Sequence, residues 1–236
     1  MTSRARASAA VSLAATMLLL VPAPGRAVAT AAGPHASQWA YLLSPVRARV
    51  RPTAGAPVVT LVNEATPEGE SNMVLALGTR LDADGREWVR IRLSILPNNS
   101  TGWVPRAALG EWHVVDTRLV VDRVQLRAVL YRGPRRVFTA PIGVGLPRWP
   151  TPRGEYYVRE RLAGFDDPFY GPVAFGLSAR SPVLTDWPGG GYVGIHGTDR
   201  PSLLPGRVSH GCIRLRNADI LRLARLMPLG TPVTVR

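Results

Sequence analysis

The residues best suited to chemistry lie between positions 194 and 219, where the chain has its only cysteine and two of its four histidines. Cys212 ends the run 209–212 (Ser-His-Gly-Cys), and His196 precedes that run. A thiol becomes a strong nucleophile when a nearby base takes its proton, and the oxyanion that follows needs hydrogen-bond donors. The segment therefore predicts nucleophilic catalysis by Cys212, with His196 as the base.

Two glycines lie directly beside these side chains. Gly197 follows His196, and because it has no side chain its carbonyl can approach the imidazole and select one tautomer. Gly211 precedes Cys212 and permits a sharp turn that exposes the thiol. The backbone amides of Gly211 and Cys212 are the predicted oxyanion donors.

A basic residue and a second histidine complete the set. An extended backbone places Arg214 on the same face as Cys212, where its charge would lower the thiol pKa or bind an acidic group of a substrate. His210 is an alternative base, because sequence alone does not separate two nearby histidines. His35 and His113 have no such surroundings. A lone cysteine is more often buried and inert, but cationic neighbours favour a reactive thiol here.

These residues resemble the L,D-transpeptidase catalytic domain of the YkuD type. The resemblance rests on His196, on residues 209–214 (Ser-His-Gly-Cys-Ile-Arg), and on residues 142–145 (Ile-Gly-Val-Gly) followed by 150–154 (Pro-Thr-Pro-Arg-Gly). It covers roughly residues 112–236. It implies a mostly β fold with a helix near its end and an enzyme that acts on peptidoglycan stem peptides.

The resemblance also implies a reaction and a set of roles. Cys212 would attack the third-residue carbonyl of a tetrapeptide stem, release the terminal D-alanine and pass the acyl group to a second stem. His196 would be the general acid and base. Substrate binding and oxyanion support would fall to Gly197, Ser209, His210, Gly211 and Arg214. Some family members carry asparagine in place of Arg214, which leaves substrate preference open.

Three alternatives remain beside this interpretation. Hydrolysis of the same acyl-enzyme would make the protein an L,D-carboxypeptidase, and a cell-wall-binding role would need no catalysis. A zinc site at His196, His210 and Cys212 lacks a recognisable fourth ligand, so neither a metal nor a cofactor is predicted. The chain contains no lysine, which excludes serine transpeptidases that depend on a Ser-x-x-Lys motif.

The fold predicted to position these residues is mainly β, with a small SH3-like barrel at 41–110 and a β-rich catalytic domain at 111–236. In the first domain, Asp84-Gly85 predicts a hairpin, followed by a strand in which apolar residues alternate with arginines. The runs 84–88 (Asp-Gly-Arg-Glu-Trp) and 101–105 (Thr-Gly-Trp-Val-Pro) resemble bacterial SH3-like domains.

In the second domain, Gly133-Pro134 predicts another hairpin, and the glycines and prolines of 143–154 suit a loop that passes close to a site. A glycine turn at 189–191 would lead into a strand ending at His196. Asn217 is the predicted cap of one helix, which Pro228 ends, and a strand at 233–235 follows.

The N-terminus predicts export. Residues 1–29 have the arginines, apolar run and Ala27-Val28-Ala29 site of a cleaved signal peptide, and 30–40 would be a flexible leader. The apolar run is shorter than the ~20 residues that span a bilayer, so a retained membrane anchor is the weaker alternative, and no transmembrane segment is predicted in the mature chain. An exported chain with one cysteine forms no internal disulfide.

The charge of the chain bears on its partners. The formal net charge is +13 and every one of the 29 basic residues is arginine. In an exported protein, this charge favours attraction to an anionic cell envelope and to the carboxylates of peptidoglycan stem peptides, rather than to nucleic acid. The sequence does not predict an oligomeric state.

Overall fold

The computed structural model describes residues 27–28, 35–67, 69–163, 167–185 and 191–236. The predicted signal peptide, apart from Ala27–Val28, lies outside the described residues, as do Gly189 and Gly190 of the predicted turn. The described chain forms two β-sheets and one α-helix, so the predicted mainly β fold class is confirmed. Among these residues, no helix has the length and apolar character needed to span a membrane.

The first sheet is antiparallel. Its strands are β1 (Ala27–Val28), β2 (Ser37–Tyr41), β3 (Val46–Arg49), β4 (Val58–Val62), β5 (Met73–Leu81), β6 (Glu87–Arg92), β7 (Thr101–Pro105) and β8 (His113–Val115). They lie in the order β4-β3-β7-β6-β5-β2-β8, and β1 also pairs with β5. The hairpin predicted at Asp84-Gly85 joins β5 to β6, where Gly85 has a φ of 76°. On β6, Val89 and Ile91 are buried and Arg90 is exposed, which confirms the predicted alternation.

The limits of this sheet differ from the prediction at both ends. Residues 37–40 belong to β2 and not to a flexible leader, because Trp39 and Ala40 are buried between β5 and β8. At the other end, β8 still pairs with β2. The chain therefore passes to the second sheet at Asp116, five residues after the predicted start at position 111. The SH3-like identity of this domain stays a prediction.

The second sheet is mixed. Its strands are β9 (Thr117–Asp122), β10 (Arg127–Arg132), β11 (Arg135–Pro141), β12 (Gly143–Gly145), β13 (Gly154–Ala163), β14 (Val173–Arg180), β15 (Tyr192–His196), β16 (Gly206–Ser209), β17 (Ile213–Arg214) and β18 (Pro232–Val235). They lie in the order β11-β10-β9-β18-β13-β14-β15-β17-β12-β16. The hairpin predicted at Gly133-Pro134 joins β10 to β11. A core of aliphatic and aromatic side chains lies between this sheet and the helix.

The helix α1 (Asn217–Leu226) packs its apolar side onto that core through Ile220, Leu223 and Ala224. It begins after Arg216, which has an extended backbone and provides no side-chain cap. The prediction that Asn217 caps the helix is therefore wrong, because its side chain bonds to the backbone of Thr198 in a neighbouring loop.

A parallel pairing of β15 and β17, with Ile195 opposite Ile213, places the ends of these two strands side by side.

Candidate active site

The β15–β17 pairing places the predicted nucleophile beside the predicted base. His196 lies opposite Arg214 in the register of the two strands. Two residues earlier, the backbone N–H of Gly194 donates to Sγ of Cys212 at 3.3 Å. Cys212, His196 and Arg214 line one cavity, together with Tyr170. The sheet therefore brings residues that are separate in sequence to a common surface.

The Cys212 thiol is a neutral group in this arrangement. Burial raises its pKa above the ordinary cysteine value, and the hydrogen bond from Gly194 and the charge of Arg214 only partly oppose this. Arg214 does act in the direction predicted from sequence, but desolvation outweighs it. At neutral pH the resting sulfur is therefore S–H rather than a thiolate.

The imidazole of His196 is held in one tautomer. Its Nδ1 lies 2.7 Å from the carbonyl oxygen of Gly197, and since a carbonyl only accepts, Nδ1 carries the hydrogen. Burial, reinforced by the charge of Arg214, lowers the pKa of His196 to about 4, although the Gly197 contact opposes the shift. The ring is therefore neutral at neutral pH, with Nε2 as an unprotonated acceptor. The ring of Tyr170 packs edge-on at 5.1 Å.

Both partners are thus uncharged before substrate arrives. A pre-formed thiolate–imidazolium pair is disfavoured, because desolvation opposes both ions and the charge of Arg214 further opposes the imidazolium. The geometry instead suits transfer of the thiol proton to His196 during attack on a carbonyl.

This protonation state predicts how the free thiol responds to pH. Alkylation of Cys212 by iodoacetamide should rise about tenfold for each unit of pH above neutrality, because only the thiolate reacts. Arg214→Gln should slow alkylation at any given pH, since the charge of Arg214 lowers the thiol pKa. Mass spectrometry of the adduct gives the rates, and a rate already maximal in weakly acidic solution would contradict the neutral resting state.

Two hydroxyl groups form hydrogen bonds with the turn that carries Cys212. The Ser209 hydroxyl donates to the Cys212 carbonyl at 2.5 Å and accepts from the Gly211 N–H at 3.1 Å. The hydroxyl of Thr151 donates to the Gly211 carbonyl at 2.7 Å. Gly211 has a φ of 120°, a conformation that glycine adopts without strain. Through Thr151, the 143–154 segment contacts the turn that carries Cys212, but residues 143–145 of the predicted loop form β12.

These contacts correct one predicted role. The Gly211 amide was expected to donate to an oxyanion, but its N–H already bonds to the Ser209 hydroxyl. Of the two predicted donors, the Cys212 amide is the one that remains a candidate. Gly211 instead allows the turn before Cys212 to adopt its positive φ.

Arg214 is a buried cation. Its side chain is 5% exposed, its guanidinium carbon lies 4.3 Å from the centre of the Phe169 ring, and it lines the same cavity as Cys212. Its Nε has no hydrogen-bond partner within the part of the chain that the structure describes. Because a buried charge is costly unless an opposite charge approaches it, this position favours an anionic ligand group.

The second histidine lies at the edge of the cavity. His210 is exposed, and its ring centre lies 4.1 Å from that of Trp149. It lines the cavity that contains Cys212. His113 does not line this cavity and stacks on Trp39 in the first sheet, with ring centres 4.1 Å apart.

Sequence reasoning missed one residue that supports the base. The side-chain oxygen of Asn217 accepts from the Thr198 N–H at 2.9 Å and lies against Gly197, where an added Cβ would meet it at 2.3 Å. Asn217 therefore holds the loop whose carbonyl orients His196, and Gly197 tolerates no side chain. An asparagine at the start of a helix is the available signal in the sequence, but that pattern predicts a cap rather than a contact with a neighbouring loop.

The described residues include no group of three histidine, cysteine, aspartate or glutamate side chains that could hold a metal ion, at His196, His210 and Cys212 or elsewhere.

Comparison with protein families places this site in a known context. A model described as the L,D-transpeptidase catalytic domain, YkuD, matches residues 116–235, about half of the chain. The chain belongs to this family. The matched L,D-transpeptidase domain includes every residue of the predicted site, from His196 to Arg214, and also Thr151 and Asn217.

Two curated relatives illustrate the similarity of the L,D-transpeptidase domain. A Bacillus licheniformis protein that is named as an L,D-transpeptidase, YkuD, is 40% identical over 106 residues, which cover 45% of this chain and 57% of that protein. An Escherichia coli protein named as the L,D-transpeptidase YbiS is 31% identical over 135 residues, covering 49% and 43%. The chain thus spans about half the length of the curated relatives it matches.

Solved structures of L,D-transpeptidases are also similar to this chain. The catalytic domain of an Enterococcus faecium L,D-transpeptidase has a TM-score of 0.40 and 28% identity, and the match covers 51% of this chain and 97% of that one. An L,D-transpeptidase from Mycobacterium smegmatis has a TM-score of 0.40 and 17% identity, with 64% and 90% covered.

Proposed function

We propose that the protein is a peptidoglycan L,D-transpeptidase in which Cys212 forms a thioester with a donor tetrapeptide stem. The single observation that supports this most directly is the cavity that Cys212 shares with a neutral, single-tautomer His196, where Cys212 directly precedes β17 and His196 ends the adjacent strand β15. Family membership adds the reaction class. The chemistry requires a thiol, a base and an oxyanion donor, and candidates for each are present.

Acylation follows from the protonation states. As Cys212 Sγ bonds to the third-residue carbonyl carbon, its proton moves to Nε2 of His196, and the carbonyl oxygen becomes an oxyanion near the Cys212 amide. Collapse breaks the C–N bond to the terminal D-alanine. The departing amine takes the proton from His196, which leaves a thioester and a neutral imidazole.

Deacylation reverses the sequence with a new amine. The acceptor amine bonds to the thioester carbon and gives its proton to His196. The C–S bond then breaks, and the sulfur recovers a proton from His196. Water in place of the amine would give the carboxypeptidase reaction from the same intermediate.

Arg214 is proposed to bind a carboxylate of the donor stem. Its buried guanidinium lies in the cavity beside the nucleophile, so an anionic substrate group would offset the desolvation of this charge. The terminal carboxylate of the stem is adjacent to the bond that breaks. A donor with a C-terminal amide should therefore acylate Cys212 more slowly than the free acid.

Product analysis tests the function. The purified protein, incubated with a tetrapeptide stem, should release D-alanine and gain the mass of the acyl group on Cys212. Addition of a second stem with a free amine should convert that adduct into a cross-linked product, detected by mass spectrometry. Release of D-alanine with tripeptide product alone, at all acceptor concentrations, would favour the carboxypeptidase instead.

The proposed place of action is outside the cytoplasm, in the cell envelope. The substrate of the proposed reaction lies there, and the predicted signal peptide at 1–29 would deliver the chain to it. The excess of arginine suits a surface rich in carboxylates and phosphates.

A further inference from the structure

The loop between β6 and β7, residues 93–100, reaches from the first sheet to the second. Two adjacent asparagines in it bond to main-chain groups of the second sheet. The side-chain amide of Asn98 donates to the Arg180 carbonyl at 2.7 Å, and its oxygen accepts from the N–H of the same residue at 2.9 Å. The side-chain oxygen of Asn99 accepts from the Glu155 N–H at 2.7 Å. We call residues 93–100 the bridging loop.

The bridging loop contacts the second sheet where two of its strands separate. β13 pairs with β14 through residues 158–163, but its first part, residues 154–157, pairs with β18 instead. The end of β14 therefore extends beyond the part of β13 that pairs with it. Asn98 binds at this strand end, to both main-chain groups of Arg180. Since main-chain N–H and C=O groups need partners, the Asn98 amide acts there as a residue of a partner strand would.

Arg180 ends the strand that leads into the cavity lined by Cys212, here called the active-site cavity. The next residue, Ser181, lines this cavity, as do Leu184 and Gly191. The Ser181 N–H donates to the Gly191 carbonyl at 2.8 Å, and its hydroxyl accepts from the Leu184 N–H at 3.0 Å. The position of this wall of the cavity therefore depends on how the end of β14 is held.

A second contact of the bridging loop lies at the same level of the sheet. Tyr192 of β15 lies opposite Arg180 and also lines the active-site cavity. Its hydroxyl oxygen lies 3.5 Å from the carbonyl oxygen of Ser94 in the bridging loop. Both strands beside this wall are thus in contact with the first sheet. These contacts come from outside residues 116–235, the part of the chain that matches the family model.

We propose that Asn98 is a positioning residue for the donor stem, because it holds the end of β14 where residues 181–184 form one wall of the active-site cavity. This inference rests on the proposed function, in which the donor occupies that cavity. The nucleophile and the base are held by other contacts, with Gly194 and Gly197. Loss of the Asn98 contacts should therefore weaken donor binding and spare the chemical step. The first sheet thus completes the donor site.

Donor kinetics test this role. With Asn98→Ala, the KM for the donor in acylation of Cys212 should rise about tenfold, because two hydrogen bonds that hold the wall are lost. The maximal acylation rate should stay within about twofold of the wild type, since the reacting groups keep their positions. The measurement is the rate of adduct formation at a series of donor concentrations, by mass spectrometry of the intact protein.

Asn99→Gly is the matched control. Asn99 lies in the same loop and also bonds to the second sheet, but at Glu155 of β13 rather than at the cavity wall. Its φ is 68°, which glycine adopts without strain, so the substitution removes the side chain without forcing the backbone to change. This variant should keep the wild-type KM. An equal rise in KM in both variants would mean that the loop only docks the two sheets, and would overturn the role of Asn98.

Hydrogen exchange provides a readout that does not depend on the reaction. In Asn98→Ala, the Arg180 amide should exchange at least about tenfold faster, because its acceptor is lost. Amides of residues 173–177, where β14 is paired with β13, should keep their protection.

Asn98→Asp guards against a folding defect in the alanine variant. It keeps the size of the side chain and an acceptor for the Arg180 N–H, but its second oxygen repels the Arg180 carbonyl, so the donor KM should rise again. Unchanged exchange at Arg180, an unchanged KM in both Asn98 variants, or a lower maximal rate at unchanged KM would overturn the inference. Failure of the proposed function would differ, since the wild type would then form no donor adduct.

Discussion

Cys212→Ala is expected to abolish both D-alanine release and the acyl adduct, with a loss of at least about 10⁴-fold in donor turnover. Without the sulfur no thioester forms, and the proposed reaction has no other nucleophile. The measurement is quantitative mass spectrometry of released D-alanine and of the intact protein. Full activity in this variant would refute the nucleophile assignment.

Cys212→Ser provides the matched control. The hydroxyl occupies nearly the same volume and can still accept from the Gly194 N–H, so the fold and the cavity should persist. Its proton is far harder to remove than that of a thiol, and turnover should remain close to the alanine level. Thermal unfolding of both variants should match the wild type within a few degrees. A parallel loss of stability would mean that Cys212 supports the fold rather than the reaction.

Much of the fold could be predicted because the signals are local. The hairpins at Asp84-Gly85 and Gly133-Pro134 need only their own turn residues. In contrast, the sequence does not indicate β13, because two charged residues, Arg159 and Glu160, occupy buried positions in it. These charges pair with each other at 2.8 Å, and that pairing depends on the folded surroundings.

The candidate site was predictable to a similar extent. Cys212, His196 and the carbonyl of Gly197 follow from residue types and adjacency. In the structure, Cys212 and His196 line one cavity, and Nδ1 of His196 lies 2.7 Å from that carbonyl. The role of Asn217 depends on which loop approaches the start of the helix, which no local pattern reports. The sequence also does not indicate that the pKa of the Cys212 thiol is raised, because the effect of desolvation on this pKa outweighs that of the nearby Arg214 charge.

His196→Asn is expected to reduce donor turnover by about 10²–10⁴-fold, the usual contribution of a general base. The asparagine amide can replace the Nδ1–H contact with the Gly197 carbonyl, so the loop should keep its position while Nε2 is lost. The pH dependence distinguishes a lost base from a displaced loop. Since the wild-type thiol is neutral at neutral pH, the variant should recover activity steadily as rising pH ionises Cys212 without help.

The two other histidines give this prediction its controls. His210 lies at the exposed edge of the same cavity, so His210→Gln tests the alternative base. His113 stacks on Trp39 in the first sheet, so His113→Gln tests the effect of losing a histidine outside the cavity. We expect His113→Gln to leave donor turnover unchanged. His210→Gln should lower donor turnover less than about tenfold, as for a residue that only shapes the surface of the cavity. A greater loss from His210→Gln than from His196→Asn would transfer the role of base to His210, because one proton acceptor must lie within reach of Cys212 for the neutral thiol to react.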